Sequence, residues 1–483
     1  MSTVSSRRGG TAGKTENGAF DLIVLGGGSA GFAAAIKGAD LGARVAIIES
    51  GTLGGTCVNV GCIPSKTLLR AAEAQHKRTY HGFAGISSSN GVPDWTAVRA
   101  HKDELVATLR REKYADVLMA YPSVALIRQR AAFASEHTLA LFDGTTLTAD
   151  KIIIATGASP SAPRIVGLDQ AGYLDNVSAM ALDELPKSLA VIGGGSVGLE
   201  LAQMFARLGV VVTVLEALPH VLPMEDPSVA DALAQYVREE GLSVVTDAQI
   251  ERVTKREGKS VIAFRSGGEG RTMSVERVLV ATGRRPNTTG VGLEAAHVGV
   301  NVQGGVEVNE FLETSNSGVY AVGDVIGNPM FVYVAAYAGN LAAENALRGN
   351  ARRYDLTAVP SVTFTDPAVA SIGLTEDAAW HRGIDAMVAQ LGLEHVPRAR
   401  AARDTRGFIR LIADRQTQQI IGAQILAAEA GEMIGEATLA VRLGLTIEQM
   451  TTGFRAYLTL GEGLKLAAQT FTTDVSKLSC CAA

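Results

Sequence analysis

Residues 20–49 read FDLIVLGGGSAGFAAAIKGADLGARVAIIE, and the fold turns on this stretch. An apolar run from Phe20 to Leu25 leads into Gly26, Gly28 and Gly31. An Ala-rich amphipathic stretch then continues to about Leu41, and a second apolar run from Arg44 ends at Glu49. Strand, glycine loop, helix and strand make a βαβ unit with a GxGxxG loop. Its glycines allow the tight turn and let backbone N–H groups approach a pyrophosphate at the positive end of a helix. One such loop is weak evidence, because ordinary α/β folds also carry glycine-rich turns. The pattern recurs, however: Leu189 to Ile192 precede Gly193, Gly195 and Gly198, a helix runs to about Leu208, and Val211 to Glu216 complete the unit. In both units the acid follows the first glycine by 23 residues, 26 to 49 and 193 to 216. Two fingerprints in the same context point to two dinucleotide sites.

A second duplication brackets the second unit. Ile152–Gly157 (IIIATG) and Val278–Gly283 (VLVATG) each read as a buried strand closing in a Thr-Gly turn. The second βαβ unit is thus predicted to be inserted in the first domain, which resumes with RRPNT and VYAVGD (Val319–Asp324). From about Arg353 the texture changes to strand-like runs (SVTFTD, SIGLTE, GFIRLIA, IIGAQIL) and helical stretches near Ala428–Leu443 and Glu462–Thr470. Between Trp95 and Tyr121 the spacing of Val98, Leu105, Leu109 and Leu118 predicts a long amphipathic helix. The predicted class is α/β, with two Rossmann-like domains and a C-terminal α+β domain. The predicted bounds are a disordered tail at 1–19, a first domain at 20–157 and 284–352, an inserted domain at 158–283, and a last domain at 353–483.

At 483 residues the chain suits about three domains. A net charge of -5 lacks the basic excess that nucleic acid or an anionic membrane requires, and no apolar run reaches the roughly 18 residues of a bilayer span. The first 19 residues, MSTVSSRRGGTAGKTENGA, are polar, and no apolar stretch follows Arg7 and Arg8 as a twin-arginine signal would need. Four cysteines do not make the disulfide scaffold of a secreted protein. A cytoplasmic chain with no stable membrane association is the expectation.

Those four cysteines form two pairs: Cys57 and Cys62 in GGTCVNVGCIPSK (Gly54–Lys66), and Cys480 and Cys481 three residues from the end. Thiolates are nucleophiles and soft-metal ligands, so the pairing points to redox or soft-metal chemistry. The first pair lies near a predicted helix start after Gly54 and Gly55, where the dipole lowers a thiol pKa. A structural zinc site is disfavoured, since no histidine lies between Cys57 and His76.

Together, GGTCVNVGCIPSK, both fingerprints, both ATG turns, VYAVGD and the C-terminal domain resemble the flavoprotein disulfide reductase family from about Phe20 to the end. The resemblance implies FAD on Gly26, Gly28, Gly31 and Glu49, with Gly55, Thr56, Lys66, Thr156, Gly157 and Asp324 also at that cofactor. It implies NADPH or NADH on Gly193, Gly195, Gly198, Glu216 and Gly283. Cys57 and Cys62 would be the redox-active pair, with Cys62 the flavin-proximal thiolate and Cys57 the interchange thiol, and Lys66 with Glu200 would stand at the flavin N5 region.

Disulfide-reducing members of the family use a His and Glu pair near the end, whose imidazole shuttles a proton. Here the last histidine is His395, and in RAYLTLGEGLK Tyr457 stands where that base would, although Glu462 remains. Tyr457, LAAQTF and the ending LSCCAA resemble the mercury-reducing branch. That resemblance implies a homodimer in which Cys480 and Cys481 of the partner subunit take Hg(II) from thiol complexes and pass it to Cys57 and Cys62, all four being metal ligands, with Tyr457 and Tyr173 lining the site. A thioredoxin-reductase-like enzyme is the main rival, and a non-catalytic metal binder ranks below it. CCAA formally matches a prenylation box, but no polybasic segment precedes it. Glu216, with no Lys or Arg between Arg207 and Arg238, favours NADH over the phosphate of NADPH.

Overall fold

The structure is a computed structural model that describes residues 20–89 and 91–477; Cys480 and Cys481 and the N-terminal tail lie outside the described residues. The chain divides into two compact units. One takes in Met1–Leu53, Asp116–Gly157 and Pro286–Tyr354, the other Gly54–Ala115, Ala158–Arg285 and Asp355–Ala483. Residues 54–115, which the sequence places with the FAD domain, group with the second unit.

The first unit is built on a parallel sheet in the order Val319–Ala321, Ile152–Ile154, Leu22–Leu25, Val45–Ile48, Val124–Ile127. Leu22, Ile23, Val24 and Ile152–Ile154 are fully buried, as continuous apolar runs must be when both faces of a parallel sheet are covered. The helix Ser29–Asp40 follows the first strand, and Val332–Arg348 lies against it. That approach is close: a Cβ on Gly339 would sit 2.1 Å from the Ala30 carbonyl oxygen. Small residues let the two backbones meet, and the contact fixes the helix whose N-terminus opens on the first glycine loop.

The second unit repeats the plan. Its parallel sheet runs Ser243–Val245, Val211–Leu215, Ser188–Ile192, Arg277–Val280. The helix Ser196–Arg207 shares one core with the helix Cys62–Lys77, through Leu68, Leu69, Ala72, Leu199, Ala202 and Phe205. The C-terminal part is an antiparallel sheet in the order Ser361–Thr363, Ala368–Gly373, Ile420–Ala427, Phe408–Asp414, Ala386–Gly392, backed by the helices Ala430–Leu443 and Glu462–Gln469. The class is therefore the predicted one.

Two local features differ from expectation. The helix predicted between Trp95 and Tyr121 is regular only over Trp95–Arg110, then widens into a π turn at Arg111–Ala115 before Asp116–Met119. Its buried positions are Trp95, Lys102 and Val106, whereas Val98, Leu105 and Leu109 are only half-buried; Lys102 reaches the Met180 carbonyl at 3.3 Å, so a long charged stem fills part of the inner face. The meander Gln249–Arg256, Lys259–Ser266, Glu269–Val275 was not anticipated, although Ser260, Ile262 and Phe264 alternate inward in the two-residue period of a strand.

Gly339→Ala should destabilise the protein by about 1–3 kcal/mol, because a methyl group there overpacks a helix contact made of backbone. Urea unfolding measures it. Gly349→Ala just beyond the same helix, where nothing lies within 4 Å, separates crowding from the strain of a glycine at φ +93°.

Candidate active site

The two glycine loops are duplicates at atomic detail. Gly26 (φ +115°) and Gly193 (φ +107°) take backbone angles that side chains avoid, and a Cβ on them would lie 2.3 Å from the Ala155 oxygen and 2.6 Å from the Ala281 oxygen. A Cβ on Gly31 or Gly198 would lie 1.9 or 2.0 Å from the oxygen of the loop's own first glycine. The helices Ser29–Asp40 and Ser196–Arg207 start after Gly28 and Gly195 without any side-chain cap, which suits a phosphate anion in the capping role. The acids match too. Glu49 accepts from Gly27 N at 2.7 Å and Gly51 N at 2.6 Å; Glu216 accepts from Gly194 N at 2.6 Å and Leu218 N at 2.9 Å. Each carboxylate ties the second strand to the glycine loop, a link that the GxGxxG pattern alone does not reveal.

The strand ends that complete each loop are also locked. In the first unit Thr156 Oγ1 donates to the Asn287 carbonyl at 2.8 Å, and Asn287 N donates to the Gly157 carbonyl at 2.9 Å. In the second, Thr282 Oγ1 donates to Ser161 O at 2.9 Å and Ser161 N to Gly283 O at 3.0 Å. Asp324 lies in a 3-10 turn, Gly323–Ile326, where a Cβ on Gly323 would come within 2.9 Å of Ala30 Cβ. Asp324 therefore stands beside the N-terminal turn of the first helix. These donors, glycine cradles and uncapped helix ends fit FAD in the first unit and a nicotinamide dinucleotide in the second.

The cysteines sit on two helices rather than one. Gly54 (φ +98°) and Gly55 (φ +62°) open a single short helix, Gly55–Val60, which carries Thr56 and Cys57. The chain turns at Gly61, where a Cβ would meet the Thr56 oxygen at 2.9 Å, and Cys62 is the first residue of the 16-residue helix Cys62–Lys77. The helix start predicted after Gly55 thus belongs to a short turn, and the long-helix N-terminus falls at Cys62. Both thiols are free and hydrogen-bond each other. That bond pushes the Cys57 thiol up, with burial adding to it. It pulls Cys62 down to about 7, with Lys66 assisting and burial and Glu200 opposing. Of the two, Cys57 keeps its proton more firmly and Cys62 ionises more readily.

Lys66, one turn along, pairs with Glu200 at 2.7 Å. Glu200 is 4% exposed and comes from the helix after the second glycine loop. Its other oxygen accepts from Phe364 N at 2.9 Å, and the Phe364 ring lies 4.5 Å from Lys66 Nζ. Phe364 was missed from the sequence; SVTFTD reads only as a strand. The loop carrying Tyr173 is tied to the cysteine turn, since Asn176 Nδ2 donates to the Val60 carbonyl at 3.2 Å, and Tyr173 is 39% exposed. Tyr457 is 61% exposed, five residues before Glu462, whose buried Oε2 has no hydrogen-bond partner among the described residues. Among those residues no group of three or more His, Cys, Asp or Glu could hold a metal ion. A two-coordinate soft ion such as Hg(II) needs only two thiolates.

The family model for pyridine nucleotide-disulphide oxidoreductase matches residues 20–339, and that of the dimerisation domain of the same family matches residues 359–468. The chain is 46% identical to a mercuric reductase of Streptomyces lividans over 96% of this chain and 98% of that protein. It is 45% identical to a mercuric reductase of Staphylococcus aureus over 96% of this chain and 85% of that one. Among solved structures, the Cu(II) complex of the HOCl-induced flavoprotein disulfide reductase RclA from Escherichia coli superposes with a TM-score of 0.84 at 31% identity, covering 94% of this chain and 99% of that chain. With duplicated dinucleotide loops, a reactive dithiol and these similarities together, the chain belongs to the pyridine nucleotide-disulphide oxidoreductase family and, within it, to the mercuric reductases.

Proposed function

We propose that the chain reduces Hg(II) to Hg(0) with NAD(P)H as an FAD-containing homodimer, in the reaction NAD(P)H + Hg(II) → NAD(P)⁺ + H⁺ + Hg(0). The observation that carries this reading is the Cys57/Cys62 dithiol, with Cys62 at a helix N-terminus beside the Lys66–Glu200 pair and its pKa drawn down to about 7. Bound FAD would supply the centre that accepts a hydride and passes on two electrons. Gly26, Gly28, Gly31, Glu49, Thr156, Gly157 and Asp324 hold it, with Gly55, Thr56 and Lys66 assigned to its reactive end. Gly193, Gly195, Gly198, Glu216 and Gly283 hold the coenzyme.

Cys62 thiolate is the first ligand to Hg(II). Cys57 loses its proton as it becomes the second, because a soft cation replaces that proton on sulfur. Cys480 and Cys481 of the partner subunit deliver the ion by exchange of thiol ligands, with Tyr457 and Tyr173 lining the path. No acid/base histidine is required, in keeping with His395 being the last in the chain. The proposed FAD domain is 20–157 with 284–352, the coenzyme domain 158–283 and the interface domain 353–483. Within the last, Leu439, Leu443 and Phe454 are large exposed apolar side chains of the kind a partner subunit covers. No helix among the described residues is long and apolar enough to cross a membrane. A reducing cytoplasm suits free thiols.

The coenzyme reading follows from Glu216. Both its oxygens are committed to backbone N–H groups, which fixes the carboxylate at the end of the second strand, where it would meet the adenine ribose of a bound coenzyme. The nearby His220 is held by Asp231 at 2.7 Å. A ribose diol is welcome there and a 2′-phosphate is repelled.

Hg(II)-dependent NAD(P)H oxidation in excess thiol tests the whole scheme. Cys57→Ala or Cys62→Ala should abolish it, whereas the Cys480→Ala/Cys481→Ala double variant should lower kcat/KM for thiol-bound Hg(II) by about tenfold or more, since only delivery at high effective concentration is lost. Turnover with a thioredoxin in place of Hg(II) would instead identify a disulfide reductase. NADH should give the higher kcat/KM, and Glu216→Gln should raise the NADPH/NADH ratio about tenfold by removing one repulsive charge. In the two-electron-reduced enzyme, the long-wavelength thiolate–flavin absorbance should be full well above pH 7, half-developed near pH 7 and lost below it, because the Cys62 thiolate is protonated as pH falls through its lowered pKa of about 7.

A further inference from the structure

The helix Ser196–Arg207 presents one face to the segment 363–366, and nearly every residue of that segment is pinned to it. Ser196 Oγ lies 2.7 Å from Thr363 Oγ1, and Glu200 Oε1 accepts from Phe364 N at 2.9 Å. Gln203 accepts from Asp366 N and donates to Asp366 O, both at 2.8 Å, and Arg207 pairs with the Asp366 carboxylate at 2.9 Å. Residues 196, 200, 203 and 207 follow the spacing of a single helical stripe. The peptide they hold is thus registered residue by residue, and the side chain it delivers is Phe364.

Phe364 closes a three-membered loop of contacts. Its N–H fixes Glu200, Glu200 Oε2 takes Lys66 at 2.7 Å, and its ring lies 4.5 Å from the same ammonium. The ring is 41% exposed, and a Cβ built on Gly431 would stand 3.8 Å from its Cε1. An ammonium has three donors and, on a four-carbon stem, many rotamers; one ion pair leaves it free to swing about the carboxylate. A ring face at this distance attracts it electrostatically and removes that freedom.

We propose that Phe364 is a positioning residue that, through its aromatic face, holds the Lys66 ammonium in the single orientation in which it pairs with Glu200. This deepens the proposed function, since it concerns the Lys66–Glu200 pair assigned to that chemistry. Neither the GxGxxG pattern nor the cysteine motif contains Phe364. Its role arises because one residue offers its backbone to the anion and its ring to the cation.

Substitution can separate the two contributions, because every residue but proline keeps the N–H that Glu200 uses. Phe364→Leu removes the ring and preserves the backbone bond; Phe364→Tyr preserves both. The readout is the rate at which an amine-reactive acylating reagent labels Lys66 in the holoenzyme, quantified by peptide mass spectrometry without mercury or coenzyme. Lys77 on the same helix serves as internal reference, being paired to Glu73 and remote from the ring in sequence. Lys66 labelling should rise about fivefold in Phe364→Leu, equivalent to about 1 kcal/mol of lost restraint, and stay at the wild-type rate in Phe364→Tyr, with Lys77 unchanged throughout. Equal Lys66 rates in wild type and Phe364→Leu would overturn the proposal. So would a rise in Phe364→Tyr as large as that in Phe364→Leu, or a parallel rise at Lys77, which would report general loosening. Because labelling needs no turnover, its outcome stands apart from the mercury assay, and either reading can fail alone.

Discussion

The carboxylate of Glu200 is the constraint on which the second unit is assembled. At 4% exposure an unpaired charge would cost several kcal/mol, and here both oxygens are engaged, one by the Lys66 ammonium and one by the Phe364 N–H. Because the three groups belong to the cysteine helix, the helix after the second glycine loop and the C-terminal part of the chain, satisfying one buried charge aligns three segments far apart in sequence. Hydrophobic contact between Leu68, Leu69 and Ala72 on one helix and Leu199, Ala202 and Phe205 on the other supplies area without direction. The ion pair supplies the register.

A similar economy governs both dinucleotide loops. Glu49 and Glu216 are drawn to backbone N–H groups of their own glycine loops, so each acid that the fingerprint assigns to a ribose also braces the loop that takes the pyrophosphate. Replacing such an acid therefore alters loop geometry as well as ribose recognition, which is why an amide, able to accept one of the same bonds, is the more informative substitution than alanine.

The dithiol owes its asymmetry first to the bond between the two sulfurs and then to the charges beside it. Cys57 lies within one short helical turn, while Cys62 begins a 16-residue helix and has Lys66 one turn ahead. Two chemically identical thiols thus differ in acidity, with Glu200 moderating the field that Lys66 provides at Cys62. A pair poised in this way has fewer protons to lose to a soft cation near neutral pH than two ordinary thiols would.

Much of the architecture was legible in the chain itself. Glycine spacing and strand composition are local properties, and the two βαβ units, the paired ATG turns and the C-terminal strands Phe408–Asp414 and Ile420–Ala427 appear close to where periodicity put them. The Gln249–Val275 meander escaped notice because its exposed positions carry mixed charges that mask the alternation. The length of the helix after Trp95 was overread because hydrophobic spacing does not register a π turn. At the site, sequence alone determined which groups are present: the glycines, the acids, two thiols in CxxxxC and the lysine four residues on, since each is specified by spacing along one continuous segment. Tertiary structure alone decided that Cys62 rather than Cys57 heads the long helix, that Glu200 and Lys66, which the family resemblance brings together, bond directly across 134 residues, and that Phe364 completes the pair. The physical reason is that buried charges and ring faces act over a few ångströms of space, and only packing brings distant parts of the chain within that range.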